Sequence, residues 1–270
     1  MSKIAELFAV PTRNAADVDW ATLVENQQCP YISRKCIKVR KSEPDVSIGT
    51  CSVYYGRSED QILICPNRLL IRRQIFTDCL HLLTLHEPGN ELHLIPEVSI
   101  PGGSVDYFLV SVNRRRVQDF VGIELQTLDT TGTVWPERQR FLDSVGLATD
   151  SRDVISTKRF GMNWKMTAKT ILIQLHHKTQ TLEFLNKHLV LVVQDIFLDY
   201  LKREFQFDHL DSPKLGHPMH FHAYGLNESS TGPASMNLRE RLSTDANGIA
   251  KCLAGCRKML CRRFPLGRWS

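Results

Sequence analysis

Between Asp106 and Asp129 the chain reads Asp-Tyr-Phe-Leu-Val-Ser-Val-Asn-Arg-Arg-Arg-Val-Gln-Asp-Phe-Val-Gly-Ile-Glu-Leu-Gln-Thr-Leu-Asp, two apolar runs joined by a short polar turn at Asn113-Arg114-Arg115-Arg116. Runs of this length, rich in Val, Ile and Phe and broken by a polar turn, predict an antiparallel hairpin. Alternate residues of a strand share a face, so Glu124 and Gln126 point the same way. With Asp106 across from them, two carboxylates and an amide converge. Such a group can hold a divalent cation and the water it activates. Three adjacent arginines in the turn could grip phosphate, although a solvated charged turn is the commoner case.

The 270 residues are enough for one domain with a substantial core, or one with an appendage. The contents of 42% hydrophobic and 23% charged residues are those of ordinary globular proteins. No apolar run approaches a membrane span, and the N-terminal Met-Ser-Lys-Ile-Ala-Glu-Leu-Phe does not read as a signal peptide. A cytoplasmic location and no membrane partner are expected. The net charge of +5 points to nucleic acid only until its distribution is seen. Lys251, Arg257, Lys258, Arg262, Arg263 and Arg268 crowd the last twenty residues without an acid, and the remaining chain is close to neutral.

The periodicities predict a helix over 16–26 capped by Asp17, then a small hairpin of Ser52–Tyr55 and Gln61–Ile64 around Gly56. A helix capped by Asn67 follows to about Leu83, then strands near 92–95, 105–112 and 119–126. Residues 127–160 have no regular pattern. Ile171, Leu172, Leu175, Leu182 and Leu185 mark the strongest helix, over 167–186. His188–Gln194 reads as a buried strand and 196–205 as a last clear helix. Residues 225–248, scattered with Gly, Ser, Thr and Pro, read as a flexible linker to the basic tail. The domain reading is thus an N-terminal helical segment (1–28), a cysteine element (29–66), a core (67–224), and a linker with tail (225–270).

Cys29, Cys36, Cys51 and Cys65 are separated by six, fourteen and thirteen residues, unlike standard zinc ribbons. The hairpin after Cys51 would nonetheless bring Cys51 and Cys65 together. A tetrahedral thiolate site for zinc or iron is expected, against the alternative of half-buried thiols without metal. Cys252, Cys256 and Cys261 lack a fourth partner. His217, His220 and His222 could bind metal, since the last two share a strand face, but no fourth ligand is evident. His176, Asn186 and His188 do not make an HNH nuclease motif, which needs a hairpin followed by a helix.

Helix, three strands, helix, strand is the shared core of the PD-(D/E)xK nucleases, whose metal-binding acids sit on the second and third strands. Asp106 and Glu124 fall there. Val121-Gly-Ile-Glu-Leu-Gln-Thr-Leu-Asp129 resembles the active-site strand of the NotI-type restriction endonucleases, with glutamine where most relatives carry lysine. Cys65-Pro-Asn-Arg-Leu69 resembles the segment around the last of that family's four cysteines, and Cys29, Cys36 and Cys51 are similar in order and spacing. The resemblance covers residues 25–200, in patches.

This resemblance implies a mixed α/β fold: a PD-(D/E)xK core with a central mixed sheet flanked by helices and an inserted four-cysteine knuckle. It implies a bacterial, homodimeric Type II restriction endonuclease, paired with a DNA methyltransferase, that cuts double-stranded DNA at a palindromic, GC-rich site using Mg2+. Asp106 and Glu124 would be the magnesium ligands, with Glu97 the rival to Asp106, and Gln126 the third catalytic residue. Cys29, Cys36, Cys51 and Cys65 would hold one structural Fe or Zn ion. Gln126 carries no charge, so either the metal does more of the water activation or Lys165 or Lys169 reaches in from the following helix. Arg34, Lys35, Lys38, Arg40 and Lys41 are candidate DNA contacts, as are Lys165 and Lys169. The rival classes are a PD-(D/E)xK repair or mobile-element nuclease without site specificity, and a non-catalytic DNA-binding protein built on the cysteine site.

Overall fold

The computed structural model describes residues 2–13, 17–227 and 232–254, so Cys256, Cys261 and the arginines of the tail lie outside the described residues. The chain is a mixed α/β protein whose contacts divide it into two units. One comprises Met1–Arg73, Thr127–Asn163 and Gly225–Asn237; the other comprises Gln74–Gln126, Trp164–Tyr224 and Leu238–Ser270.

The first unit opens on β1 (Ile4–Leu7), wholly buried, which turns back into β2 (Val10–Pro11). Helix α1 (Trp20–Asn26) is capped by Asp19 rather than Asp17: its Oδ1 accepts the Thr22 N–H at 3.1 Å. Two small ladders follow, β3 (Gln28–Cys29) with β4 (Arg34–Lys35) and β5 (Val39–Arg40) with β6 (Glu43–Ser47). The expected hairpin is present as β7 (Thr50–Tyr55) and β8 (Asp60–Leu63), in a four-stranded sheet of order β2-β1-β7-β8. Under that sheet Arg68 is fully buried and makes a two-pronged ion pair with Glu6 at 2.8 Å on both arms.

The helix expected from Asn67 to Leu83 is broken. A 3-10 segment (Pro66–Arg73) ends in two left-handed residues, Arg72 and Arg73, both at φ 52°. An α-helical ladder cannot propagate through such residues. Only the short α2 (Gln74–Thr77) and a 3-10 turn at Leu80–Leu82 follow.

In the second unit β9 (Glu91–Ile100), β10 (Gly103–Asn113) and β11 (Arg116–Gln126) form an antiparallel meander. The β10–β11 turn places both Arg114 and Arg115 at positive φ (45° and 62°), the twist that a two-residue hairpin requires. The chain then returns to the first unit, where residues 127–160 are more regular than expected: β12 (Thr130–Thr131), α3 (Trp135–Ser144), α4 (Ser151–Val154) and, after them, β13 (Gly161–Met162), paired with β12. Pro136 reads as a breaker, but it sits in the first turn of α3, where no N–H is needed.

Helix α5 (Trp164–Phe184) leads to β14 (His188–Gln194), which runs parallel to β11. Helix α6 (Asp195–Glu204) and β15 (Met219–Asn227) follow, β15 again parallel to β14. The described residues of the expected linker over 225–248 are mostly strand and helix. The chain continues into β16 (Ser235–Thr244) and α7 (Ala246–Ala254), completing a six-stranded sheet of order β16-β15-β14-β11-β10-β9. In β16 the more buried Met236, Leu238 and Leu242 alternate with exposed Asn237, Arg239 and Arg241, a period of two hidden by the flanking Gly, Ser and Pro. Among the described residues no helix is long and apolar enough to cross a membrane.

Candidate active site

Strand β11 is where the large sheet changes from antiparallel to parallel pairing. Its alternation puts Gly122, Glu124 and Gln126 on one face. Gly122 lets α5 lie close on that face: a Cβ there would stand 3.3 Å from Cδ1 of Leu182 on the helix. The β10–β11 register pairs Tyr107 with Ile123, so the next step sets Asp106 beside Glu124. Asp106 is fixed there, its Oδ2 accepting the Leu125 N–H at 2.7 Å. Asp106, Glu124 and Gln126 together line a cavity of about 360 Å³ with Gly102, Gly103, Ser104, Leu125, Ile171, Gln174 and Lys178. The expected convergence of two acids and an amide is therefore present. Glu97, the rival to Asp106, does not line the cavity, though its charge reaches Asp106.

Burial dominates the electrostatics. It pushes the Glu124 carboxyl up to about 7, with repulsion from Asp106 adding to the rise and the Lys178 hydrogen bond opposing it. Asp106 is also raised by burial, and the Leu125 N–H and Lys178 draw it back. A buried and a half-buried acid repelling each other across one cavity call for more positive charge than a single lysine brings, which suits a divalent cation. The contacts named use one oxygen of each carboxylate. In this respect the residues fit a magnesium ion.

Neither Lys165 nor Lys169 lines the cavity. The lysine that does is Lys178, further along α5, with Nζ 2.7 Å from Glu124 Oε1 and only 5% of the residue exposed. Ile171, Gln174 and Lys178 follow one another at i, i+3 and i+7, a single face of the helix. The sequence held a signal for it. Lys178 falls in register with the buried Ile171, Leu175 and Leu182, and a lysine inside an apolar stripe needs a partner.

The four cysteines all lie in the first unit. Cys29, Cys51 and Cys65 are buried and Cys36 is half-buried. The Ile64 N–H donates to the Cys51 carbonyl at 3.0 Å, so the β7–β8 hairpin joins two of them as expected. Each is within electrostatic reach of at least two of the others. Burial raises the Cys29, Cys51 and Cys65 thiols. Opposing this, backbone N–H groups point at each sulfur: Tyr31 and Ile32 at Cys29, Ala9 at Cys51 and Asn67 at Cys65. Cys29-Pro-Tyr31 and Cys65-Pro-Asn67 thus repeat one device, a cysteine–proline step whose second residue beyond the sulfur donates back to it. Burial outweighs these amides and favours the protonated thiols, and the Cys51 thiol donates to the Gly49 carbonyl at 3.6 Å; the amides would favour thiolates once a metal is bound. Among the described residues, no group of three or more His, Cys, Asp or Glu is placed so as to hold a metal ion.

The candidate DNA contacts divide by engagement. Arg34 and Lys41 are exposed. Lys35 Nζ donates to the Asp45 carbonyl at 2.7 Å, and Lys38 Nζ to that of Ile64 at 3.1 Å. Arg40 pairs with Glu43 and lies 4.5 Å over the Trp135 ring. On α5, Lys165 is exposed and Lys169 half-buried. His220 and His222 share a face as expected, both fully buried, and burial drives both down to about 3. His220 Nε2 hydrogen-bonds the His217 carbonyl at 2.8 Å, which accounts for part of this cluster as packing.

No protein-family model matches the chain, and no curated protein matches it.

Proposed function

We propose that this protein is a magnesium-dependent endonuclease of the PD-(D/E)xK type that hydrolyses phosphodiester bonds in double-stranded DNA. The observation that carries the reading is the meeting of Asp106, Glu124 and Gln126 in one polar cavity, on the strand where the sheet turns from antiparallel to parallel. The element order of the second unit, three antiparallel strands, a long helix, a parallel strand and another helix, agrees with that nuclease core.

Asp106 and Glu124 would hold the magnesium ion, which when bound supplies a Lewis acid and an activated water. Gln126, an uncharged donor and acceptor, would orient that water or a phosphate oxygen by hydrogen bonding. Glu124, Leu125, Ile171 and Lys178 are buried, so on their side of the cavity charge interactions are stronger than in water. The finer reading is a homodimeric Type II restriction enzyme acting at a palindromic, GC-rich site beside a companion methyltransferase, with Cys29, Cys36, Cys51 and Cys65 around a structural iron or zinc. It rests on the resemblance of the Val121–Asp129 strand and the Cys-Pro segments to the NotI-type enzymes.

Incubating the full chain with magnesium and a large phage genome separates the classes. Discrete fragments support the restriction reading. A smear indicates a nuclease without site specificity, and intact DNA overturns the catalytic assignment.

A further inference from the structure

The Glu-x-Gln strand lacks the lysine that the Glu-x-Lys pattern would put beside the attacking water, and the cavity contains a lysine from elsewhere. Lys178 enters from α5 and stands 2.7 Å from Glu124. Its path depends on the turn between β9 and β10. Gly102 and Gly103 adopt φ of +94° and +133°, which side chains rarely tolerate. A Cβ on Gly103 would come within 3.1 Å of Lys178 Cε, and one on Gly102 within 3.0 Å of the His177 backbone carbon. The turn is fastened to the helix by the Thr181 hydroxyl, which donates to the Pro101 carbonyl at 2.8 Å. Two glycines without side chains thus leave the slot through which the lysine runs, three residues ahead of Asp106. An ammonium so far from solvent is costly unless its charge is used or matched.

We propose that Lys178 is the catalytic cation of this site, supplying from the helix the positive charge that Gln126 cannot supply from the strand. This rests on the nuclease reading above. In the step, the water oxygen bonds to phosphorus as the bond from phosphorus to the 3′ oxygen breaks. The water's proton passes to solvent, and the 3′ oxygen takes one from solvent. Lys178 enters and leaves the step as an ammonium, stabilising the charge on the attacking oxygen and the phosphate.

The test compares single-turnover cleavage by wild type, Lys178→Met, Lys178→Gln, Glu124→Ala and the double variant Lys178→Met/Gln126→Lys, on a DNA the wild type cuts. Magnesium affinity is read by calorimetry at pH 8.5 without DNA, and DNA affinity in EDTA. Both Lys178 variants should slow cleavage by about 100-fold or more. Their magnesium and DNA affinities should stay within about threefold of wild type or better. Returning the charge to the strand with Gln126→Lys should recover about tenfold or more of the lost rate. If Lys178→Met does not fold, Lys178→Gln, which keeps a hydrogen bond to Glu124, carries the comparison. Wild-type-like cutting by Lys178→Gln while Glu124→Ala is dead overturns the role of Lys178 and leaves the nuclease intact. Loss of magnesium binding in both Lys178 variants, without rescue by Gln126→Lys, reduces Lys178 to a structural part. A wild type that cuts no DNA removes both proposals together.

Discussion

Glu124 and Lys178 are each about 95% out of solvent, and each is tolerable there because the other is present. Removing one partner of a buried pair strands the other. Lys178→Ala should lower the unfolding free energy in EDTA by about 3–5 kcal/mol, whereas Lys178→Met/Glu124→Leu should regain most of it. Urea titrations of the three proteins check this. Gln126 bears on rate more than on folding, so Gln126→Ala should keep the urea midpoint and slow magnesium-dependent cleavage by about tenfold or more. Unchanged cleavage at saturating magnesium would remove its catalytic role. His220 and His222 give a pH signature. Both are held neutral to about 3, below the ordinary histidine value of 6.5, by burial first and by neighbouring cations second. Between those values the unfolded chain binds protons that the native one does not. Stability therefore falls as pH drops below about 6.5 and is unaffected by these groups above it. His222→Leu should flatten that acid slope, read as urea midpoints at pH 7.5 and pH 5.0.

At the scale of elements, the site is held by a turn, a strand and a helix. The Gly102–Gly103 turn has no room for a methyl group against α5, so Gly102→Ala should destabilise the protein by about 1–2 kcal/mol through its left-handed φ alone. The β10–β11 turn is the opposite case. Arg114 and Arg115 occupy left-handed positions that Asn and Gly fill with less strain, so Arg114→Asn/Arg115→Gly should raise the melting temperature. Strands β10 and β11 and helix α5 were legible from their periods, and the buried strand β14 from its unbroken apolar run. What was illegible had competing signals. Arg72 and Arg73 look like helix residues yet adopt left-handed φ, and Pro136 looks like a breaker yet starts a helix. The paired carboxylates could be read from strand alternation alone. Lys178 stands out among the lysines of α5 by its place in the apolar stripe, but the sequence does not say that the partner it needs is Glu124.

For the molecule as a whole, two groups of residues define what is claimed: the acids of one unit and the cysteines of the other. The thiols come from β3, the loop after β4, β7 and the segment just after β8, and the hairpin that joins the last two was legible despite their irregular spacing. If they hold a structural metal, elemental analysis should find about one iron or zinc per chain. Cys29→Ser and Cys65→Ser should each lose it together with thermal stability, because binding energy for such a metal is folding energy. The most direct measurement of the central claim compares wild type and Glu124→Ala on double-stranded DNA with magnesium, following binding and cleavage in the same samples. A nuclease built on this cavity predicts that both proteins bind and only the wild type cuts. DNA left whole by the wild type, or cut as fast by Glu124→Ala, would contradict it.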